Sequence, residues 1–253
     1  MSKEFYIYGK HVIVETLRTK PESLKRLYIK ETGKQAAYDE IRILAKRAGV
    51  LVSSASEKQI TGWVGDVNHQ GILGLSKPFD YENLGNFLET INEDSPLQTV
   101  LILDHIMDVA NIGAIIRSAA AMSIDAIIVA ELHQAPITSA VFKTSAGTVG
   151  RIPIIQIGNI NQCVETLKKK KFWVVGLSSH DEKGEALELW NYKFDSHAAI
   201  VIGNEGAGVR EKTLEHCDTL LRIPMTNDVE SLNASVTAGI VCYEVMKQRK
   251  EMK

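Results

Sequence analysis

The chain has 253 residues, 45% hydrophobic and 24% charged, with a formal net charge of −2, the make-up of an ordinary soluble globular protein with room for one large domain or two small ones. It has no apolar run of about 18 residues, and Met1-Ser2-Lys3-Glu4 leads straight into short mixed segments, so neither a membrane span nor a secretory signal is expected and a cytoplasmic protein is. Cys163, Cys217 and Cys242 are odd in number, far apart and never paired as C-x-x-C, which excludes a disulfide framework and a zinc site of that type.

Over the first 77 residues, helix-like and strand-like segments alternate: Lys10 to Leu17, Arg26 to Ile29, Gln35 to Ala48, Val50 to Ser53 and Gly71 to Leu75. Such an order predicts a compact α/β module. Residues 78–97 are acidic and contain Pro78, Asn83, Gly85 and Pro96, which marks a linker; Leu84, Phe87, Leu88 and Ile91 keep helical spacing within it and predict a short docked helix. From Thr99 onward, short apolar strands alternate with helices: Val100 to Leu103, Ala126 to Ala130, Ile152 to Ile157, Trp173 to Leu177, Ala198 to Ile202 and Leu220 to Ile223. The expectation for residues 98–253 is therefore a mostly parallel sheet with helices on both faces.

Charge is unevenly spread. Residues 1–77 hold 13 Lys and Arg against 8 Asp and Glu, residues 78–97 hold none against 5, and residues 98–253 hold 16 against 18. A basic small module joined to a near-neutral larger one suits an enzyme that holds a polyanion on a separate domain, although a solvated surface explains the same surplus. The run Lys168 to Lys171 ends the helix before Trp173, where cations favour the helix C-terminus. It ranks as a solvated helix end first and an RNA contact second.

In an open parallel sheet, ligands bind beyond the carboxyl ends of the strands. Three polar clusters follow strands in that way. The first runs from Asp104 to Arg117 and carries Asp108, Asn111, Gly113 and Arg117. The second is Gly203-Asn204-Glu205-Gly206-Ala207-Gly208, spaced G-x-x-G-x-G rather than as the dinucleotide fingerprint G-x-G-x-x-G; a carboxylate inside that loop would repel a pyrophosphate. The third runs from Ile223 to Val245: Ser231, Asn233 and Ser235 lead directly into a helix with an apolar stripe at Ala238, Val241, Cys242 and Val245. Polar groups there satisfy free N–H groups at a helix start, yet three in five residues exceed what one cap requires. His216-Cys217-Asp218 reads as chance adjacency rather than a nucleophile with its base, and the seven histidines lack metal-ligand spacing, so no metal is expected.

N-x-G-x-x-x-R at Asn111 to Arg117, G-N-E-G-x-G at Gly203 to Gly208 and IPM…SLNASV at Ile223 to Val236 resemble the three ordered motifs of the SpoU, or TrmH-type, RNA ribose 2′-O-methyltransferases. Tyr8-Gly9-Lys10-His11 and His69-Gln70-Gly71-Ile72 resemble the subgroup that methylates a guanosine ribose in 23S ribosomal RNA, so the likeness spans nearly the whole chain. The resemblance implies a SPOUT-type α/β catalytic domain with a C-terminal trefoil knot, an N-terminal ribosomal-protein-like α/β domain that binds RNA, and a homodimer with its active site at the subunit interface. This sequence departs from the family in having Asp108-Val109 where Asp-Pro is common, and in lacking a glycine near Asn227 or Asp228.

The implied reaction moves a methyl group from S-adenosylmethionine to a ribose 2′-oxygen. Arg117 resembles the family arginine proposed to receive the proton; since a guanidinium holds its proton to a pH of roughly 12, transition-state electrostatics ranks ahead of true base catalysis. Asn111 would cap its helix or position the ribose, Glu205 would orient Arg117 or Asn233, and Ser231, Asn233 and Ser235 would hold substrate and active-site geometry. Gly203, Ile223, Met225, Ser231 and Leu232 would wrap the cofactor, with Leu177 and Ser178 closing the other side. Two alternatives remain: methylation of tRNA or of an rRNA adenosine, and an inactive RNA-binding ribosome-assembly factor.

Overall fold

A computed structural model of the protein describes residues 4–31, 35–92, 94–178, 186–204, 206, 208–226 and 231–252. The chain folds into two compact units, Met1–Asp80 with Ile137–Arg151, and Tyr81–Pro136 with Ile152–Lys253. The first unit begins β1 (Phe5–Tyr8), α1 (Lys10–Thr19), β2 (Leu24–Lys30), α2 (Asp39–Ala48), β3 (Val52–Ala55), α3 (Glu57–Val64) and β4 (Ile72–Ser76). The second opens with α4 (Leu84–Glu89), β5 (Thr99–Asp104), α5 (Val109–Ala121) and β6 (Ala126–Ala130), after which α6 (Ser139–Thr144) belongs to the first unit. The second then resumes with β7 (Ile154–Ile157), α7 (Ile160–Lys169), β8 (Phe172–Leu177), β9 (Leu187–Glu188), β10 (His197–Gly203), α8 (Glu211–Leu214), β11 (Thr219–Arg222) and α9 (Ala234–Glu251).

In the first unit the sheet order is β1-β4-β2-β3, with β2 and β3 parallel and the other pairs antiparallel. Periodicity alone passes over β1, only four residues long, and α3, whose start is written in a capping box: Gln59 N donates to Ser56 Oγ at 3.3 Å and Ser56 N donates to Gln59 Oε1 at 2.8 Å. The segment read as one helix from Gln35 is a 3-10 turn through Tyr38 followed by α2, which carries Asp39 and Glu40 in its first turn, Lys46 and Arg47 in its last, and ends at left-handed Gly49. Ile137–Arg151 joins this unit although it lies inside residues 98–253. Its Phe142 packs edge-on against Phe5 at 5.8 Å and Phe79 at 6.1 Å, and Arg151 pairs with Glu15, so aromatic burial decides its allegiance.

The second unit is built on a sheet of order β7-β6-β5-β10-β8-β11-β9 in which every pairing is parallel. Its central strands read as continuous apolar runs because both faces are covered. Val100, Ile102, Ile128 and Val201 pack with Val164 and Leu167 of α7 and Leu88 of α4, and Leu84, Phe87 and Ile91 complete that cluster. Leu101, Leu103, Ile127 and Ile200, also buried, point to the opposite face by the two-residue period. α9 packs on β10 and on α5, burying Ala234, Ala238, Val241, Cys242 and Val245, the stripe that its spacing predicts. Each full-size apolar side chain so buried stabilises by about 1.5–3 kcal/mol. β7 begins at Ile154 rather than Ile152 because Pro153 has no N–H for the ladder. Among the described residues, no helix is long and apolar enough to cross a membrane.

Candidate active site

The strand order sets β5, β10, β8 and β11 side by side and parallel, so their carboxyl ends share one edge. Asp104 pairs with Gly203 there, Leu177 pairs with Leu221, and Ser178 N donates to Leu221 O at 3.0 Å. Leu177 is buried, Ile223, Met225 and Leu232 are half-buried, and Ser231 is exposed. Leu177, Ser178, Gly203 and Ile223 therefore emerge at the one sheet edge, as the carboxyl-end expectation requires.

Gly203 is required by sterics rather than by turn conformation. A Cβ at that position would overlap the Gly208 carbonyl and the Val209 amide, because the loop folds back on the strand end. Gly208 N donates to Asn204 O at 3.0 Å and Gly206 N to Asn204 Oδ1 at 3.0 Å, which pins the return. Beside it Asp104 is fully buried. Its carboxylate accepts from Arg210 Nε at 2.9 Å and Arg210 N at 3.1 Å and lies 2.7 Å from His105 Nδ1. The sequence reading assigned no role to Asp104 or Arg210; the carboxylate closing an apolar strand was the only signal, and its partner lies 106 residues away.

The first and third polar clusters meet through their amides. Asn111 sits in the first turn of α5, which Asp108 caps by accepting from Ala110 N at 3.0 Å; the cap is made with Val109 at the position where proline is common. Asn111 is 6% exposed, and its Oδ1 accepts from Asn233 Nδ2 at 3.0 Å. Asn233 is the N-cap of α9: its Oδ1 accepts from Ser235 N at 2.8 Å, Val236 N at 3.4 Å and Ser235 Oγ at 2.6 Å. One side chain thus caps α9 with its oxygen and ties α9 to α5 with its nitrogen.

Arg117 is not part of this contact. Six residues beyond Asn111, it is rotated by about 240° around the helix, and it is exposed with no hydrogen bond or ion pair among the described residues. Glu205 lies outside the described residues, as do Asn227 and Asp228. The cysteines are poor nucleophiles: burial pushes the thiols of Cys163, Cys217 and Cys242 up to about 12. Around Cys217 the neighbours point apart, His216 to Glu165 at 2.8 Å and Asp218 to the amide of Val174 at 2.8 Å. Among the described residues no group of three or more His, Cys, Asp or Glu could hold a metal ion.

Comparison with known proteins converges on one family. Residues 98–243 match the SpoU rRNA methylase family, and residues 6–82 match the RNA 2′-O ribose methyltransferase substrate-binding family. A Staphylococcus aureus protein assigned to the TrmH family of tRNA/rRNA methyltransferases is 33% identical over 97% of both chains. The 23S rRNA (guanosine-2′-O-)-methyltransferase RlmB of Xanthomonas campestris is 32% identical over 98% of this chain and 99% of its own. The SpoU methyltransferase AviRb of Streptomyces viridochromogenes, solved with AdoMet, shares the fold with a TM-score of 0.78 at 21% identity, covering 99% of this chain and 92% of its own. With its motifs meeting at the carboxyl edge of a parallel sheet and relatives matched along almost its whole length, the chain belongs to the SpoU rRNA methylase family.

Proposed function

We propose that this RNA methyltransferase transfers a methyl group from S-adenosylmethionine to the 2′-hydroxyl of a ribose in RNA, with a guanosine of 23S ribosomal RNA as its target. The observation that carries the reading is the Asn233–Asn111 hydrogen bond of 3.0 Å, which joins the first and third family motifs beside the strand ends. The activity of the Xanthomonas relative, a 23S rRNA (guanosine-2′-O-)-methyltransferase, supports guanosine in 23S rRNA. The Staphylococcus relative's assignment to both tRNA and rRNA keeps tRNA as a second substrate class.

S-Adenosylmethionine supplies, when bound, an electrophilic methyl group on a sulfonium. The residues suited to hold it are Leu177, Ser178, Gly203, Ile223, Met225, Ser231 and Leu232, and the fit rests on the chain itself: a strand end without a side chain at Gly203, apolar surface at Leu177 and Ile223, and backbone polar groups where the parallel strands stop. Asn111, Asn233 and Ser235 position the ribose. Glu205 orients Arg117 or Asn233. Arg117, exposed and without a partner among the described residues, can hold a phosphate and stabilise negative charge developing on the 2′-oxygen. Aligning the reacting oxygen is the larger part of the task, since orientation alone can supply about 7–11 kcal/mol in favourable cases.

In this reading residues 1–77 hold RNA, the acidic stretch 78–97 links, and residues 98–253 carry the chemistry within a C-terminal trefoil knot. Support comes from the substrate-binding match at residues 6–82 and the basic balance of residues 1–77. The protein acts in the cytoplasm as a homodimer. Val236, Ile240 and Tyr243 leave α9 apolar on a second, solvent-facing side, at 48%, 37% and 55% exposure, beside a groove of about 510 Å³ reaching Trp190 and Ile223. The deciding experiment incubates the protein with labelled S-adenosylmethionine and undermodified 23S rRNA or tRNA, and maps the methylated nucleotide by mass spectrometry. Methyl on a 23S guanosine ribose is expected; no transfer to any RNA refutes the reading.

A further inference from the structure

Two short motifs that stand out in the first 77 residues, Tyr8 to His11 and His69 to Ile72, play no part in the edge described above. The fold closes them on each other. Gly9 starts α1 at φ 95° with no side-chain cap, and the N–H of Lys10 donates instead to Gln70 Oε1 at 2.9 Å. Tyr38 donates its hydroxyl to Gln70 O at 2.9 Å, and the Lys10 ammonium lies 4.7 Å from the centre of the Tyr38 ring. Gln70 and Gly71 follow one another in the left-handed region, at φ 55° and 71°, a conformation that costs a glutamine but not a glycine. From α6 the same spot receives Lys143: a Cβ at Gly9 would lie 2.7 Å from its Nζ and 3.3 Å from Gln70 Oε1.

The Lys143 ammonium thus reaches a residue without a side chain, and Lys10 and His11 follow that residue in the first turn of α1. The two lysines are half-buried and His11 is exposed. None of the three has an acidic partner among the described residues. Nearby carboxylates are engaged elsewhere, Glu15 with Arg151 and Glu57 with Lys30 at 2.5 Å and His69 at 3.3 Å. A half-buried ammonium loses hydration and regains it only from an anion or a hydrogen-bonding partner. Cations without an acidic partner among the described residues, a bare glycine that permits close approach, and a strained glutamine pinning the helix start together favour an anionic ligand.

We propose that Lys10, His11 and Lys143 form a phosphate-holding subsite for the backbone of the substrate RNA, with Gln70 and Tyr38 as positioning residues. The inference rests on the RNA-methylating reading above and adds where the first unit grips the polyanion. A phosphodiester carries one negative charge and two acceptor oxygens, which suits two ammonium groups and an imidazole edge. Such contacts position the chain without reading its sequence.

The test measures binding of a 23S rRNA fragment as a function of salt for the full-length wild type, Lys10→Gln, Lys143→Gln, the double variant, Lys143→Arg, and Lys250→Gln as a control that removes an exposed charge elsewhere. Each glutamine should weaken binding several-fold irrespective of RNA sequence and reduce the slope of log affinity against log salt by about 0.7–0.9, with the double variant near the sum. KM for RNA should rise while S-adenosylmethionine affinity stays put, Lys143→Arg should retain most of the binding, and Lys250→Gln should change little. Unaltered affinity and slope in the double variant, or an equal loss in Lys250→Gln, overturns the inference. Inorganic phosphate exchanged for chloride at constant ionic strength should compete with RNA in the wild type but not in the double variant; equal displacement from both places the anion elsewhere and also overturns the inference. Melting temperatures monitor folding. A wild type that methylates no RNA removes the underlying reading instead, so the two failures are distinguishable.

Discussion

Replacing Asn233 by alanine separates two jobs held by one amide. The cap is lost with Oδ1, which receives the N–H groups of Ser235 and Val236 at 2.8 and 3.4 Å; removing an N-cap costs about 1 kcal/mol. Loss of Nδ2 deprives the Oδ1 of Asn111, 6% exposed, of this donor, and breaking such a buried hydrogen bond costs about 1–3 kcal/mol. Asn233→Ala should therefore destabilise by about 2–4 kcal/mol, and its melting temperature should fall by about 4–16 °C at roughly 2–4 °C per kcal/mol. Asn233→Asp keeps the acceptor and places negative charge at a helix N-terminus but cannot donate to Asn111, so it should lose only the second contribution. Urea unfolding of both variants, with Asn111→Ala and the double variant completing a cycle, should return a coupling of about 0.5–1.5 kcal/mol. An alanine variant within 0.5 kcal/mol of wild type, or a coupling of zero, refutes the reasoning.

Arg210→Ala removes the guanidinium from the fully buried Asp104 carboxylate, leaving it His105 and the backbone amide of residue 210, and should lower stability by about 3 kcal/mol, read as a shift of the urea midpoint. Gly203→Ala forces the backbone of the 208–209 turn away from the strand end; loss of S-adenosylmethionine binding in calorimetry is expected, with the sheet retained by circular dichroism. Burial holds His197 below the usual histidine range, with the Arg249 guanidinium adding to the effect. Its neutral form is the folded one, so its contribution is present above about pH 6.5 and is lost as pH falls through the ordinary value toward the lowered one. Burial raises Asp125, which acts in the opposite sense and at the lower pH of carboxylates. Stability measured from pH 7 to 5.5 should decline in the wild type and flatten in His197→Asn; an unaltered slope would contradict the assignment.

Local order was legible in the residues. The spacing of Ala238, Val241, Cys242 and Val245 anticipates the buried stripe of α9, the polar run before it contains the cap Asn233, and the apolar runs from Val100 onward become the central strands. Periodicity and capping depend on neighbours within a few residues, so one chain segment carries their whole signal. The capping box at Ser56 is equally local, but the helix it starts spans only eight residues, and Ile60 and Val64 make its apolar stripe a single turn long.

Other features exist only in three dimensions. That Asp104 takes Arg210, that Asn111 receives Asn233 across 122 residues, and that Phe142 carries Ile137–Arg151 into the first unit depend on which strands become neighbours. Composition supports many such pairings equally. The sequence by itself determined the helices, the strands and the set of polar residues able to do chemistry. Tertiary structure decided which of them meet: Asn111 with Asn233 at one edge, and Lys10 with Gln70 and Gly9 with Lys143 at another site, while Arg117 faces outward. The physical reason is that burial energy is collected between segments far apart in the chain, and only the completed packing selects among them.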